Sequence, residues 1–167
     1  MSISMHQLSI PVFERMLGNL SAIIAKAAAH AEARKIDPAV FVNARLAPDM
    51  FPFSRQVQIA CDAAKGAGAR LAGVEVPSHP DTESSFAELQ ERIAKTQTFL
   101  SSLSPAQFDG SEARRISLKL RDREVEFQGL DFLTQFALPN FYFHISTAYA
   151  ILRHNGVDIG KRDYLGA

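Results

Sequence analysis

Asn140 and His144 are the side chains of this sequence best placed to do chemistry. They stand one helical turn apart, a spacing that sets both on one helix face with Cβ atoms roughly 5–6 Å apart. An imidazole beside an amide can hold a polar ligand or a metal ion. Around them the chain is apolar: Phe132, Phe136, Phe141, Tyr142, Phe143, Ile145, Tyr149, Ile151 and Leu152. A helix that is apolar on nearly every side lies centrally or serves an interface. Each polar group buried there without a partner costs about 1–3 kcal/mol. The pair therefore needs satisfaction, either structurally, through a neighbouring helix or a trapped water, or by a ligand or metal. For a lone histidine on an apolar helix the structural outcome is the commoner. Pro139 directly precedes the pair and removes one helical donor, so an unpaired carbonyl is expected nearby.

The remaining candidates are weaker. His30 and His154 fall near helix C-termini, where the macrodipole alone favours a cation. His6 lies in the N-terminal region and His79 in a proline-flanked loop, and none of these shows zinc-ligand spacing. Cys61 reads as a small core residue. No phosphate-cradling glycine loop and no hydrolase nucleophile elbow occurs. Lysine plus arginine equals aspartate plus glutamate at 18 each. The basic residues Arg114, Arg115, Lys119, Arg121 and Arg123 are interleaved with Glu112, Asp122, Glu124 and Glu126. No basic excess is present to neutralise phosphates, so nucleic acid is not an expected partner. A single cysteine fits a reducing compartment. The N-terminus has no basic segment ahead of its apolar residues, and no uninterrupted apolar run approaches a membrane span. The expectation is a cytoplasmic chain with no membrane partner.

Four long helices must position these residues. Leu8, Val12, Met16, Leu20 and Ile23 recur at helical spacing and predict a first helix from about Met5 to Arg34. Pro11 suits a start near Ile10; an earlier start predicts a kink at Pro11. Asp37 to Pro52 reads as a long connection, with Met50-Phe51-Pro52-Phe53 as a lid over one end. A slim second helix, Pro52 or Phe53 to Leu71, carries Val57, Ala60, Ala64 and Ala67 and stops at Gly73. Ser85-Phe86-Ala87-Glu88 is a capping box opening a third helix, ended by Ser104-Pro105. Ile116, Leu118, Leu120, Val125 and Phe127 alternate with polar residues and predict a hairpin from Arg115 to Gln128, turning near Arg121-Asp122. The last helix is expected from Asp131 to about His154, kinked or broken at Pro139, and Val157 to Ala167 as a short tail. The fold class is thus all-α, a four-helix bundle with a small β-hairpin between helices 3 and 4, in one domain spanning residues 1–167.

Two stretches, Asn43 through Gly73 and Phe136 through Gly166, together with the helix order, resemble the DinB-like (damage-inducible) superfamily. The likeness is closest to an uncharacterised bacterial branch known as a domain of unknown function. The resemblance implies an up-down-down-up bundle, often a homodimer. In metal-binding members one histidine on the second helix joins a His-x-x-x-His pair on the fourth, and some of those members are metal-dependent thiol transferases. Carried over, His144 matches the second histidine of the pair and Asn140 stands in place of the first. The second-helix position falls near Gln56 to Ala60, where Gln56 is the nearest donor. A catalytic zinc normally takes three protein ligands, and neutral amides bind it weakly. What this resemblance implies is a polar cleft lined by Gln56, Asn140 and His144. His144 is its one candidate metal ligand, and no cofactor is firmly implied. The expected function is small-molecule binding or a structural role; the alternative is a metal-dependent transferase or hydrolase with an altered ligand set.

Overall fold

In the computed structural model, which describes residues 3–120 and 123–167, the chain is mostly helical, with one two-stranded hairpin late in the sequence. Helix α1 (Met5–Arg34) begins earlier than Pro11 alone suggests. The reason lies upstream: Ser4 and Gln7 form a capping box, so the first amides are satisfied before proline is reached. The chain stays helical through Pro11. By length and hydropathy α1 could cross a membrane. Here its apolar stripe of Phe13, Leu17, Leu20, Ile24 and Ala27 is buried in the core instead.

The connection after α1 is more ordered than its prolines imply. Asp37 caps a short helix, α2 (Pro38–Val42), by accepting from the Ala39 amide at 2.9 Å, and Pro38 occupies the first turn, where a missing N–H costs nothing. Phe41 and Val42 drop from it into the core. Helix α3 (Phe53–Ala72) ends at Gly73, whose positive φ of 72° closes the left-handed cap. Its small residues allow close approach: a Cβ on Gly68 would lie 2.9 Å from Leu100 and 3.0 Å from Leu103. Helix α4 (Phe86–Ser101) starts at the Ser85–Glu88 capping box.

Strands β1 (Arg115–Leu120) and β2 (Arg123–Gln128) pair antiparallel, with Ile116 opposite Phe127 and Leu118 opposite Val125. Ile116 and Leu118 turn inward, so the hairpin leans one face on the helices. The expected turn at Arg121-Asp122 lies outside the described residues. The final helical stretch opens at Gly129, two residues before the expected Asp131 cap. It runs as α5 (Gly129–Asp131), a π-pitched segment Phe132–Ala137, and α6 (Leu138–His154). Asp131 is no cap; its Oδ1 accepts from Gln135 Nε2 at 2.8 Å. The break foreseen at Pro139 takes the form of that wider pitch just upstream, where a proline cannot donate back to Gln135. The C-terminal residues are no loose tail. Helix α7 (Lys161–Leu165) docks on α1, where Asn19 Nδ2 donates to the Tyr164 carbonyl at 3.0 Å and Lys26 pairs with Asp163.

α3 packs most extensively on α6 and also on α4, and α1 packs on α4, α7, α3 and α6. One apolar cluster runs from Met5 to Ile159 through all four long helices. Facing residues of α3 and α6 are therefore held in register across the core, and Gln56 and His144 lie on this seam.

Candidate functional site

His144 on α6 is 8% exposed and Gln56 on α3 is 1% exposed. Their side chains meet, with His144 Nδ1 2.7 Å from Gln56 Oε1. The amide of Gln56 has a fixed orientation, because its Nε2 donates to the Phe51 carbonyl at 3.1 Å. Its Oε1 can only accept, so His144 Nδ1 must donate. This assigns the neutral Nδ1–H tautomer and leaves an acceptor lone pair on Nε2. No hydrogen bond from a described residue reaches that nitrogen. Burial, with the positive charge of Arg55 adding to it, pushes the His144 pKa down to about 4. Phe143 stands edge-on to the imidazole with ring centroids 5.2 Å apart, and both Phe143 and Phe51 are exposed.

Asn140 is half-buried one turn before His144, and among the described residues its side chain makes no hydrogen bond. The structure thus joins Gln56 to His144 and leaves Asn140 apart from that bond. The Met50–Phe53 segment contributes the Phe51 carbonyl, while Phe53 itself is buried at the start of α3. None of the three residues lines the cleft of about 540 Å³ formed by Ile3, Met5, Leu8, Phe108 and Leu130.

A metal ion is the group the fold implies, and the donor chemistry can be tested against it. The Nδ1–H donation to an amide oxygen is the arrangement a metal-ligating histidine uses. Further ligands are the difficulty. Gln56 Oε1 is already engaged by the imidazole N–H, and Asn140 offers only a neutral amide. Among the described residues no three His, Cys, Asp or Glu side chains are arranged so that they could hold a metal ion. The residues do not fit a catalytic divalent-metal site.

The pH dependence of stability follows from the His144 environment. Between its ordinary value of 6.5 and about 4, the unfolded chain holds a proton that the folded chain does not. His144 therefore adds stability above pH 6.5 that fades as pH falls and is gone by about pH 4. After discounting for solvent reaching the ring edge, the effect is about 2 kcal/mol. Urea unfolding at neutral pH and near pH 4 should show this slope in the native protein, and His144→Gln should flatten it. An equal slope in both proteins would show that other groups carry it.

A second polar cluster was not foreseen from the sequence. Arg92 on α4 is 2% exposed. Its Nη1 donates to the Pro80 carbonyl at 3.0 Å and to Glu83 at 3.0 and 3.2 Å. Its Nη2 faces Asp62 at 2.9 Å and Asp81 at 3.0 Å. Lys65 pairs with Asp62 at 3.0 Å, Gln58 donates to Glu83 at 3.0 Å, and Arg55 bonds both Asp81 and Gln58. Arg55 thus stands between this network and the His144 dyad. A signal was present: Arg55, Gln58, Asp62 and Lys65 recur every three or four residues, and Arg92 falls within the apolar stripe of Leu89, Ile93 and Thr96. Cys61 beside it is fully buried, and desolvation pushes its thiol up to about 12. It is an inert core residue.

Similarity along nearly the whole chain, in sequence and in fold, places it among DinB-like proteins. Residues 5–165 match the family described as Domain of unknown function (DUF1993), and the chain belongs to that family. The crystal structure of a DinB family member protein from Shewanella denitrificans is similar throughout, with a TM-score of 0.90 and 48% identity over 97% of this chain and 92% of that one. No curated protein matches the chain.

Proposed function

We propose that this chain is a soluble, cytoplasmic, homodimeric bundle of one domain, residues 1–167, whose four long helices run up-down-down-up. In it the His144–Gln56 dyad takes the place of a metal centre and serves a binding or structural role. The observation that carries this reading is the 2.7 Å contact between His144 Nδ1 and Gln56 Oε1. A neutral imidazole held this way presents Nε2 as a hydrogen-bond acceptor, suited to a small polar ligand with an N–H or O–H group. Gln56, Asn140 and His144 are its candidate contacts. The chain of contacts from α1 to α4, α4 to α3, α3 to α6 and α6 to α1 supports the bundle arrangement. Exposed Tyr142, Phe143 and Phe51 support a second copy as partner.

A metal-dependent transferase or hydrolase with an altered ligand set is the second reading, favoured by the orientation of the imidazole alone. Calorimetric titration of the purified protein with zinc separates the two. The expected result is no tight site that depends on His144. One ion per chain bound with submicromolar affinity, and lost in His144→Ala, would overturn the first reading. For the dimer, light scattering should give twice the mass of the 18.4 kDa chain; the mass of one chain at micromolar concentration would refute it.

A further inference from the structure

The cleft of about 540 Å³ opens where the start of α1 meets the segment between α4 and β1 and the first turn of the last helical stretch. Ile3, Leu8 and Leu130 on its walls are large apolar side chains left exposed, while Met5 and Phe108 are buried beside them. Single exposed apolar residues are ordinary; several gathered round one concavity mark a binding surface. Gln56, Asn140 and His144 are not among its walls, so it is independent of the dyad.

Size and charge define what fits. The volume lies within the range of roughly 300–1,000 Å³ typical of small-molecule sites. Nine residues wall the cleft, against the roughly 20–30 that a stable protein interface takes from each side. Asp109 and Glu112 line it on either side of Gly110, whose φ of 70° turns the chain there, and no lysine or arginine lines it. Among the described residues neither carboxylate takes part in an ion pair. An anion would meet like charge in the cleft and a cation its counterpart. A bare divalent ion is ill suited, since it takes about six to eight oxygen ligands and the apolar walls supply none. The positive group must therefore bring an apolar body of its own.

We propose that this cleft binds a small organic cation, an ammonium on an aliphatic or aromatic body. The body lies against Ile3, Leu8 and Leu130, and the N–H groups donate to Asp109 and Glu112.

Hexylammonium chloride titrated into the intact protein and followed by amide NMR tests the site. It should shift the Gly110, Glu112 and Leu130 cross-peaks saturably in the millimolar range. Butylammonium, two methylenes shorter, should bind roughly ten-fold more weakly, because less of it reaches the apolar walls. Sodium hexanoate at equal ionic strength should leave the three cross-peaks unmoved. Asp109→Asn combined with Glu112→Gln, both at exposed positions, should weaken hexylammonium roughly five-fold and leave binding of hexanol, the neutral probe, unchanged. Leu130→Ala should weaken hexylammonium and hexanol alike. Hexanoate saturating the same cross-peaks as strongly as hexylammonium would overturn the assignment to a cation. Cross-peaks that move with protein concentration and not with amine would overturn it in favour of a second copy of the chain. Cross-peaks unmoved by every probe would overturn the site altogether.

Discussion

Gly129→Ala should destabilise the protein by about 3 kcal/mol, although alanine is the better helix former. Gly129 opens the last helical stretch, and a Cβ built there would lie 1.8 Å from the Ser111 carbonyl oxygen and 3.0 Å from its carbonyl carbon. The obstacle is backbone, so no side-chain rotation relieves it. Alanine would gain about 1 kcal/mol of helix propensity. Separating the two backbones by more than 1 Å costs more than that, because Gly129 and Ser111 are both buried. The displaced element begins the stretch that carries His144, so the dyad should loosen too. Gly160→Ala is the control: no atom lies within 4 Å of its Cβ position, its φ is −141°, and its stability should change by less than about 0.5 kcal/mol. Thermal melting of both variants decides the matter. Gly129→Ala melting like the native protein would show that the Ser111 segment yields freely.

The long elements were legible because periodicity and caps agreed. The start of α4 carries both an apolar stripe and a capping box, so local and global signals coincide, whereas α1 was legible from its stripe alone and its Ser4–Gln7 cap emerged only in the structure. The short helices α2 and α7 escaped notice because five residues cannot sustain a helix in isolation; Phe41 buried from α2 and Tyr164 held by Asn19 in α7 supply the tertiary reason. The π-pitched turn could be placed near Pro139 but not typed, since the sequence shows only that a donor is missing. At the site, spacing within one helix drew attention to Asn140, whereas the bond His144 makes crosses to Gln56, 88 residues away. Gln56 was reached only through family likeness. The Arg92 network combines residues of α3, α4 and the loop between them, and an apolar stripe with one arginine in it reads as noise until the three carboxylates are seen to converge.

Arg92→Leu should cost about 3 kcal/mol, close to the loss seen when one partner of a buried ion pair is removed. Leucine matches much of the buried stem but supplies no donor. Glu83, 13% exposed on its side chain, would lose its charge partner, and the Pro80 carbonyl its hydrogen bond. Asp62 and Asp81 are partly exposed and can turn to solvent, which keeps the loss at the lower end of the range for buried pairs. For a chain of 167 residues the melting temperature should fall by roughly 6–12 °C. The cause is separable from simple loss of packing by a double-mutant cycle. If uncompensated charge dominates, Arg92→Leu combined with Glu83→Gln should recover roughly 1 kcal/mol relative to the sum of the single changes. Strict additivity would assign the loss to packing of the guanidinium stem. Because Arg55 bonds Asp81 and also lowers the His144 pKa, the same substitution tests whether the two polar clusters communicate: with Asp81 released, Arg55 moves, and the acid-side slope set by His144 should change with it.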